Sequence, residues 1–224
     1  MITHYHLEPD ASLTQRSTNS PMGARILTMG IDLMLELGLE AFTFKKLADR
    51  MGSTEPTVYH YFANKQRLLQ YYFQLYWLWL QTYCEQEGRT LKVPRARLHG
   101  DIKALCGIWQ ADVMAARIDP VKLRALVIVE GSKSFQHKNV DADNQLKLFQ
   151  PYKDLCAHVA TELKACSPRM KSPRSFATTL VDMAHSLEFA MHHLPALTEL
   201  SGKKDRKQLA AFLIDLADRY LKAK

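Results

Sequence analysis

The chain is predicted to be all-α, and three observations predict it. Apolar residues recur three and four positions apart along most of its 224 residues. Proline and glycine interrupt that spacing at intervals suited to helices. No segment alternates apolar and polar residues as a half-buried strand does, and no internal repeat is visible. About nine or ten helices follow from this reading.

Residues 1–20 are rich in Ser, Thr and Asn and read as a flexible arm. A first helix follows from Met22 to Leu37, with Ile26, Met29, Leu33 and Leu37 on one face and Gly38 ending it. Two short helices and a tight turn occupy Phe42 to Phe62. A long helix then runs from Lys65 to about Glu87 and is apolar nearly all round, which suits burial on more than one side. After Gly88, Pro94 and Gly100, a helix is expected through Ile102, Leu105, Ile108, Trp109 and Met114. Asp119-Pro120 caps and starts the next, with Gly131 near its end, and the polar stretch Ser132–Asn144 reads as irregular. Pro151 opens a helix closed by Ser167-Pro168, Pro173 opens one stopped by Pro195, and a last helix carries Leu209, Phe212, Leu213, Leu216 and Tyr220.

The richest stretch is FTFKKLADRMGSTEPTVYHYFANKQRLL, from Phe42 to Leu69. Thr43 can cap a helix whose apolar face is Phe44, Leu47, Ala48 and Met51, and Gly52 can end it in a left-handed conformation. Thr54 then caps a second helix, with Glu55 and Pro56 in its first turn, where the N–H groups have no intrahelical partner. The pattern Gly52, Thr54, Thr57, Tyr59, Phe62, Lys65 and Leu68, with its Pro56-Thr57-Val58-Tyr59 core, resembles the DNA-binding domain of the tetracycline-repressor (TetR) family over residues 21–69. That likeness divides the chain into an arm (1–20), a three-helix helix-turn-helix domain (21–68) and a larger helical domain (69–224) for ligand binding and dimerisation.

The resemblance implies a regulator of transcription that is not an enzyme and needs no cofactor. It would act as a homodimeric repressor on a palindromic double-stranded operator and be released by a small molecule. Thr43, Lys45, Thr54, Glu55, Thr57, Tyr59, His60 and Tyr61 are the expected DNA contacts, with Lys65 as a cationic clamp on the backbone. Glu55 stands where many members are neutral or basic; an acid there suits the helix dipole and can accept from a cytosine amino group. Val58 and Phe62, four apart, would face inward.

In this family the later helices enclose a small-molecule pocket. Tyr76, Trp79, Tyr83, Cys106, Trp109 and Gln110 are its candidates, and a mainly apolar or aromatic effector, neutral or anionic, would suit them. The same rings, with Trp77, Phe135 and Phe149, equally fit ordinary core. The family builds its dimer from its last two helices, which points to Leu180, Met183, Leu187, Met191, Leu209, Phe212, Leu213, Leu216 and Tyr220. His185, Glu188 and His192 share a helix face at a spacing that can hold a metal, but the rim of a packing seam explains them as well, and no metal is assigned.

Composition narrows the classes. Apolar residues at 47% and charged residues at 24% are ordinary globular values. The longest apolar run, Leu75–Leu80, is far short of a membrane span of about 20 residues. No secretory signal opens the chain, and Cys84, Cys106, Cys156 and Cys166 form no C-x-x-C pair, so a reduced, cytoplasmic protein is expected. No nucleophile elbow, phosphate loop or zinc-protease motif is present. The net charge of +7 does not mark the helix-turn-helix, which holds six bases (Arg25, Lys45, Lys46, Arg50, Lys65, Arg67) against five acids between Met22 and Leu68. The excess lies after it, so the motif carries the DNA inference and overall charge adds little. A DNA-binding protein of the same fold without small-molecule control is the alternative reading.

Overall fold

A computed structural model describes residues 7–109, 118–202 and 205–222. They form ten α-helices and no strand among the described residues. The helices are α1 (Pro21–Ala41), α2 (Phe44–Met51), α3 (Glu55–Tyr59), α4 (Lys65–Arg89), α5 (Pro94–Leu105), α6 (Pro120–Glu130), α7 (Val140–Gln145), α8 (Gln150–Cys166), α9 (Pro173–His193) and α10 (Arg206–Lys222). The periodic segments become helices because local capping and apolar spacing agree. Ser20 accepts from Gly23 N to start α1, and Asp119 accepts from Val121 N to start α6.

Three local readings are corrected. The fifth helix stops at Leu105 rather than running on to Trp109, because Gly107 turns left-handed (φ 75°) and Ile108 N–H returns to Lys103 O. Met114, the far end of that expected helix, lies outside the described residues. The stretch 132–144 is not irregular throughout, since Gly131–Ser134 is 3-10 helix and α7 follows. Residues 10–20 are not a loose arm. A 3-10 turn buries Leu13 to 1% exposure, and Asp10 N–H, Gln15 N–H and Thr18 hydroxyl bond to Gln74, to the Tyr61 carbonyl and to Tyr71. Polar composition is no bar to order when each polar group finds a partner.

The chain divides into two compact units, and the division does not fall at residue 68. One unit holds His4–Trp79 with Ala115–Gln150; the other holds Leu80–Met114 with Pro151–Lys224. The single helix α4 therefore contributes its first part to one unit and its remainder to the other.

In the first unit α1, α2 and α3 form the reading head, and α6 packs along α1. Polar side chains on α4 tie the later segment to it. Gln70 donates to Asp143 (2.6 Å) and to the Ser134 carbonyl, Gln74 to the Leu148 carbonyl (2.7 Å), and Gln66 to the Lys133 carbonyl (2.7 Å). Phe135 and Phe149 meet edge to face and Phe135 leans on Phe73 of α4, so these two rings are packing residues. Glu130, at the end of α6, accepts the Leu39 N–H at 2.9 Å, beside the non-helical Gly38 that bends the end of α1.

In the second unit α5, α9 and α10 pack on one another. A buried polar network runs through it: Asp101 of α5 sits 3.1 Å from His158 Nε2 of α8, and Glu162 holds Arg97 at 2.8 Å.

Candidate nucleic-acid interface

The interface is assembled from two short helices that could not stand alone. Thr43 accepts from Lys46 N at 3.2 Å to start α2, whose Phe44, Leu47, Ala48 and Met51 are buried. Gly52 closes it in the left-handed region (φ 59°, ψ 42°), where a side chain would be strained, and its N–H returns to the Ala48 and Asp49 carbonyls. The turn then delivers Thr54 in extended conformation to the head of α3.

Thr54 does not cap α3 with its side chain as expected. Its hydroxyl lies 2.9 Å from that of Thr57, so both are held on the exposed face. Val58 and Phe62 are fully buried, as their spacing required, and this orients the short helix. Thr54, Pro56, Tyr59 and His60 are thereby turned outward, with Glu55 and Thr57 half-exposed. Tyr59 is 46% exposed, but its ring rests edge-on against Phe44 at 5.0 Å, which fixes its direction.

Two expected contacts point elsewhere. Tyr61 is 8% exposed; its hydroxyl lies 2.8 Å from the Ser20 hydroxyl at the head of α1. It belongs to the core because α3 ends at Tyr59, so the Tyr61 side chain leaves the helix face it would otherwise share. Lys65 is engaged as well. Its ammonium donates to the carbonyls of Leu39 (2.8 Å), Glu40 (3.0 Å) and Phe42 (3.4 Å), taking up orphan carbonyls at the end of α1. An ammonium has three donors, and all three have protein partners. Arg25 donates to the Met51 carbonyl, Lys46 to that of Ala41, Arg50 pairs with Glu36 and Arg67 with Asp143. Lys45 is exposed, with no carboxylate within ion-pair distance among the described residues. The sequence does not show this sorting, since most of the acceptors are backbone carbonyls rather than a pattern of acids.

The other candidates separate by burial and by unit. Tyr76 and Trp79 belong to the first unit and are buried, and the Tyr76 hydroxyl receives Arg124, itself fully buried, at 3.0 Å. Tyr83 and Cys106 are buried in the second unit, Trp109 there is half-buried, and Gln110 lies outside the described residues. Two grooves lined by described residues, of about 730 and 290 Å3, open beside the ends of α8 and α10 and include none of these side chains. Of the residues expected at a dimer seam, Leu180, Met191, Leu209 and Leu213 are fully buried within the chain, so they serve its own core. Met183, Leu187 and Leu216 are half-buried, while Phe212 and Tyr220 are each 44% exposed. Glu188 is held by Arg206 at 2.9 Å and the His185 ring by the Val181 carbonyl, and no three potential metal ligands cluster among the described residues. No helix among the described residues is long and apolar enough to cross a membrane.

Residues 26–72 match the family described as bacterial regulatory proteins, tetR family. The tetracycline repressor protein class A of transposon 1721, from Escherichia coli, is 39% identical over 44 residues, a fifth of each chain. At the level of fold, the fatty acid degradation regulator FadR of Bacillus halodurans superposes with TM-score 0.63 at 15% identity, over 92% of this chain and 97% of that one. AibR, solved with isovaleryl coenzyme A and operator DNA, superposes with TM-score 0.59 at 14% identity, over 85% and 95%. With the reading head built as residues 43–62 show, residues 26–72 are a domain of the kind found in bacterial regulatory proteins of the tetR family.

Proposed function

We propose that the protein is a DNA-binding transcriptional repressor that acts as a homodimer on a two-fold symmetric operator and is released by a small molecule. The observation that carries the DNA reading is the outward face of α3. Thr54, Pro56, Tyr59 and His60 stand exposed on a helix whose opposite side, Val58, is fully buried. Exposed aromatic and hydroxyl groups held that firmly suit a partner that offers phosphates and base edges. Thr57 and His60 would read bases, and Thr43 and Lys45 at the head of α2 would meet the backbone. One head touches few bases, so two heads on successive major grooves about 34–36 Å apart follow from the geometry of DNA.

The exposed rings of Phe212 and Tyr220 on α10 support an interface between two copies. The effector reading rests on relatives of the same fold, one of them bound to isovaleryl coenzyme A. Tyr76 and Trp79 of the first unit, and Tyr83, Cys106 and Trp109 of the second, are separate candidates for it. A ligand that prefers one conformer would shift the spacing of the two heads.

Selection of binding sites from a random DNA pool tests the first part. A two-fold symmetric consensus is expected, and Thr57→Ala or His60→Ala should alter individual base preferences by ~1–3 kcal/mol. Recovery of no consensus would sink the reading. Phe212→Glu should leave the chain folded and turn dimer into monomer by light scattering, and an unchanged dimer removes α10 from the interface. If isovaleryl coenzyme A and a panel of apolar acids neither raise the Tm nor release the selected DNA, the alternative without small-molecule control is favoured.

A further inference from the structure

We infer that Arg16 is a phosphate contact of the reading head, held beside α3 by the ordered segment that precedes α1. This rests on the DNA reading above and extends it to a part of the chain outside the matched domain, which begins at residue 26.

The segment is pinned on both sides of Arg16. The preceding residue, Gln15, donates its N–H to the Tyr61 carbonyl at 2.9 Å, and Tyr61 directly follows the exposed His60. Two residues on, the Thr18 hydroxyl lies 2.9 Å from that of Tyr71, buried against α4. Ser20 then reaches the Tyr61 hydroxyl. Consecutive Cα atoms are about 3.8 Å apart, so the backbone of Arg16 stays within one residue of the hydrogen bond to Tyr61, just past the end of α3. Gly23 permits this approach, since a Cβ there would stand 2.6 Å from the Thr18 backbone.

The second observation is what Arg16 does not do. Five of the other cations of the head, Arg25, Lys46, Arg50, Lys65 and Arg67, are engaged by carbonyls or acids of the protein. Arg16 is exposed, and no carboxylate lies within ion-pair distance of it among the described residues. The nearest acids in sequence are occupied: Asp10 accepts from the Ser12 N–H and hydroxyl, and Glu8 from Asn19. Arg16 and Lys45 are thus the cations left facing outward. They approach α3 by different routes, Lys45 through Phe44 and its contact with Tyr59, Arg16 through Gln15 and Tyr61. A permanently charged fork of donors fits a phosphate, and a pinned backbone reduces the entropy lost on binding one.

The test uses the full chain and the DNA it selects from a random pool. Binding is measured across a salt series for the parent, Arg16→Ala and Arg16→Lys, with melting curves to show that each is folded. Arg16→Ala should lower the slope of log K against log salt by about 0.9 per bound head, and weaken binding about eightfold per head at ~0.1 M salt. Unrelated DNA should lose the same factor and the consensus should not change, while Arg16→Lys should keep the slope. An unchanged slope in Arg16→Ala overturns the inference while the DNA reading stands. An altered consensus at normal slope overturns the phosphate role. A parent chain that binds no DNA removes the reading on which the inference rests.

Discussion

Replacing Gly23 by alanine tests whether the segment before α1 is part of the reading head. In an open helix position this change stabilises by about 1 kcal/mol, the difference in helix propensity. Here the added Cβ would lie 2.6 Å from Thr18 Cα and 2.6 Å from its carbonyl oxygen, and both are backbone atoms. Real Cβ atoms essentially never come within 3.0 Å of such a neighbour and mostly stay beyond 3.4 Å, so the segment must withdraw by about 0.4–0.8 Å. Full withdrawal exposes Leu13, worth about 1.5–3 kcal/mol. It also breaks the bonds to Tyr61 and Tyr71, at about 1 kcal/mol each. The freed residues regain chain entropy, which offsets part of that loss. Net of the propensity gain, a destabilisation of about 1–3 kcal/mol is expected, a fall in Tm on the order of 5 °C for a chain of this size. Gly100→Ala is the control, because its Cβ would meet only Leu91 at an ordinary 3.7 Å; it should stabilise. Thermal unfolding followed by circular dichroism reads both variants, and trypsin should cut at Arg16 faster in Gly23→Ala. If Gly23→Ala melts higher than the parent, the docking of residues 10–20 is refuted.

Two further outcomes follow from the same geometry. Lys65→Ala should destabilise by about 2 kcal/mol, because three backbone carbonyls lose a charged donor, while leaving the salt slope of DNA binding unchanged; a slope lower by about 0.9 would restore the phosphate clamp read from the motif. Burial draws the pKa of His158 down, but the hydrogen bond and charge of Asp101, then Glu162 and Glu85, outweigh it and hold it above 6.5. A raised pKa means that the fold favours the protonated ring, so this contribution is complete below the unfolded value and fades as pH rises through the folded one. The parent should therefore lose more Tm between pH ~6 and pH ~9 than His158→Gln, and equal losses would show that the pair with Asp101 contributes nothing.

The sequence by itself determined what depends on neighbours a few residues away. The Thr43 cap, the left-handed Gly52, the inward Val58 and Phe62 and the starts at Asp119-Pro120 and Pro173 are settled within a turn of helix, where local geometry selects the residue type. The all-α class followed from the same short-range rules. The end of α5 was not read this way, because the apolar spacing continues past Gly107 and only the folded backbone shows that glycine turning left-handed. Tertiary structure decided which polar side chains remain available. Lys65 reads as a clamp until the carbonyls of residues 39, 40 and 42 arrive beside it, and Tyr61 reads as exposed until Ser20 meets its hydroxyl. It also decided that α6 and α7 side with the reading head, through Glu130 on Leu39 and Asp143 on Gln70, pairs 91 and 73 residues apart. The physical reason is common to all of these. A backbone carbonyl or N–H is present at nearly every position and leaves no mark in the sequence, so which donor or acceptor it claims is known only once the chain has folded.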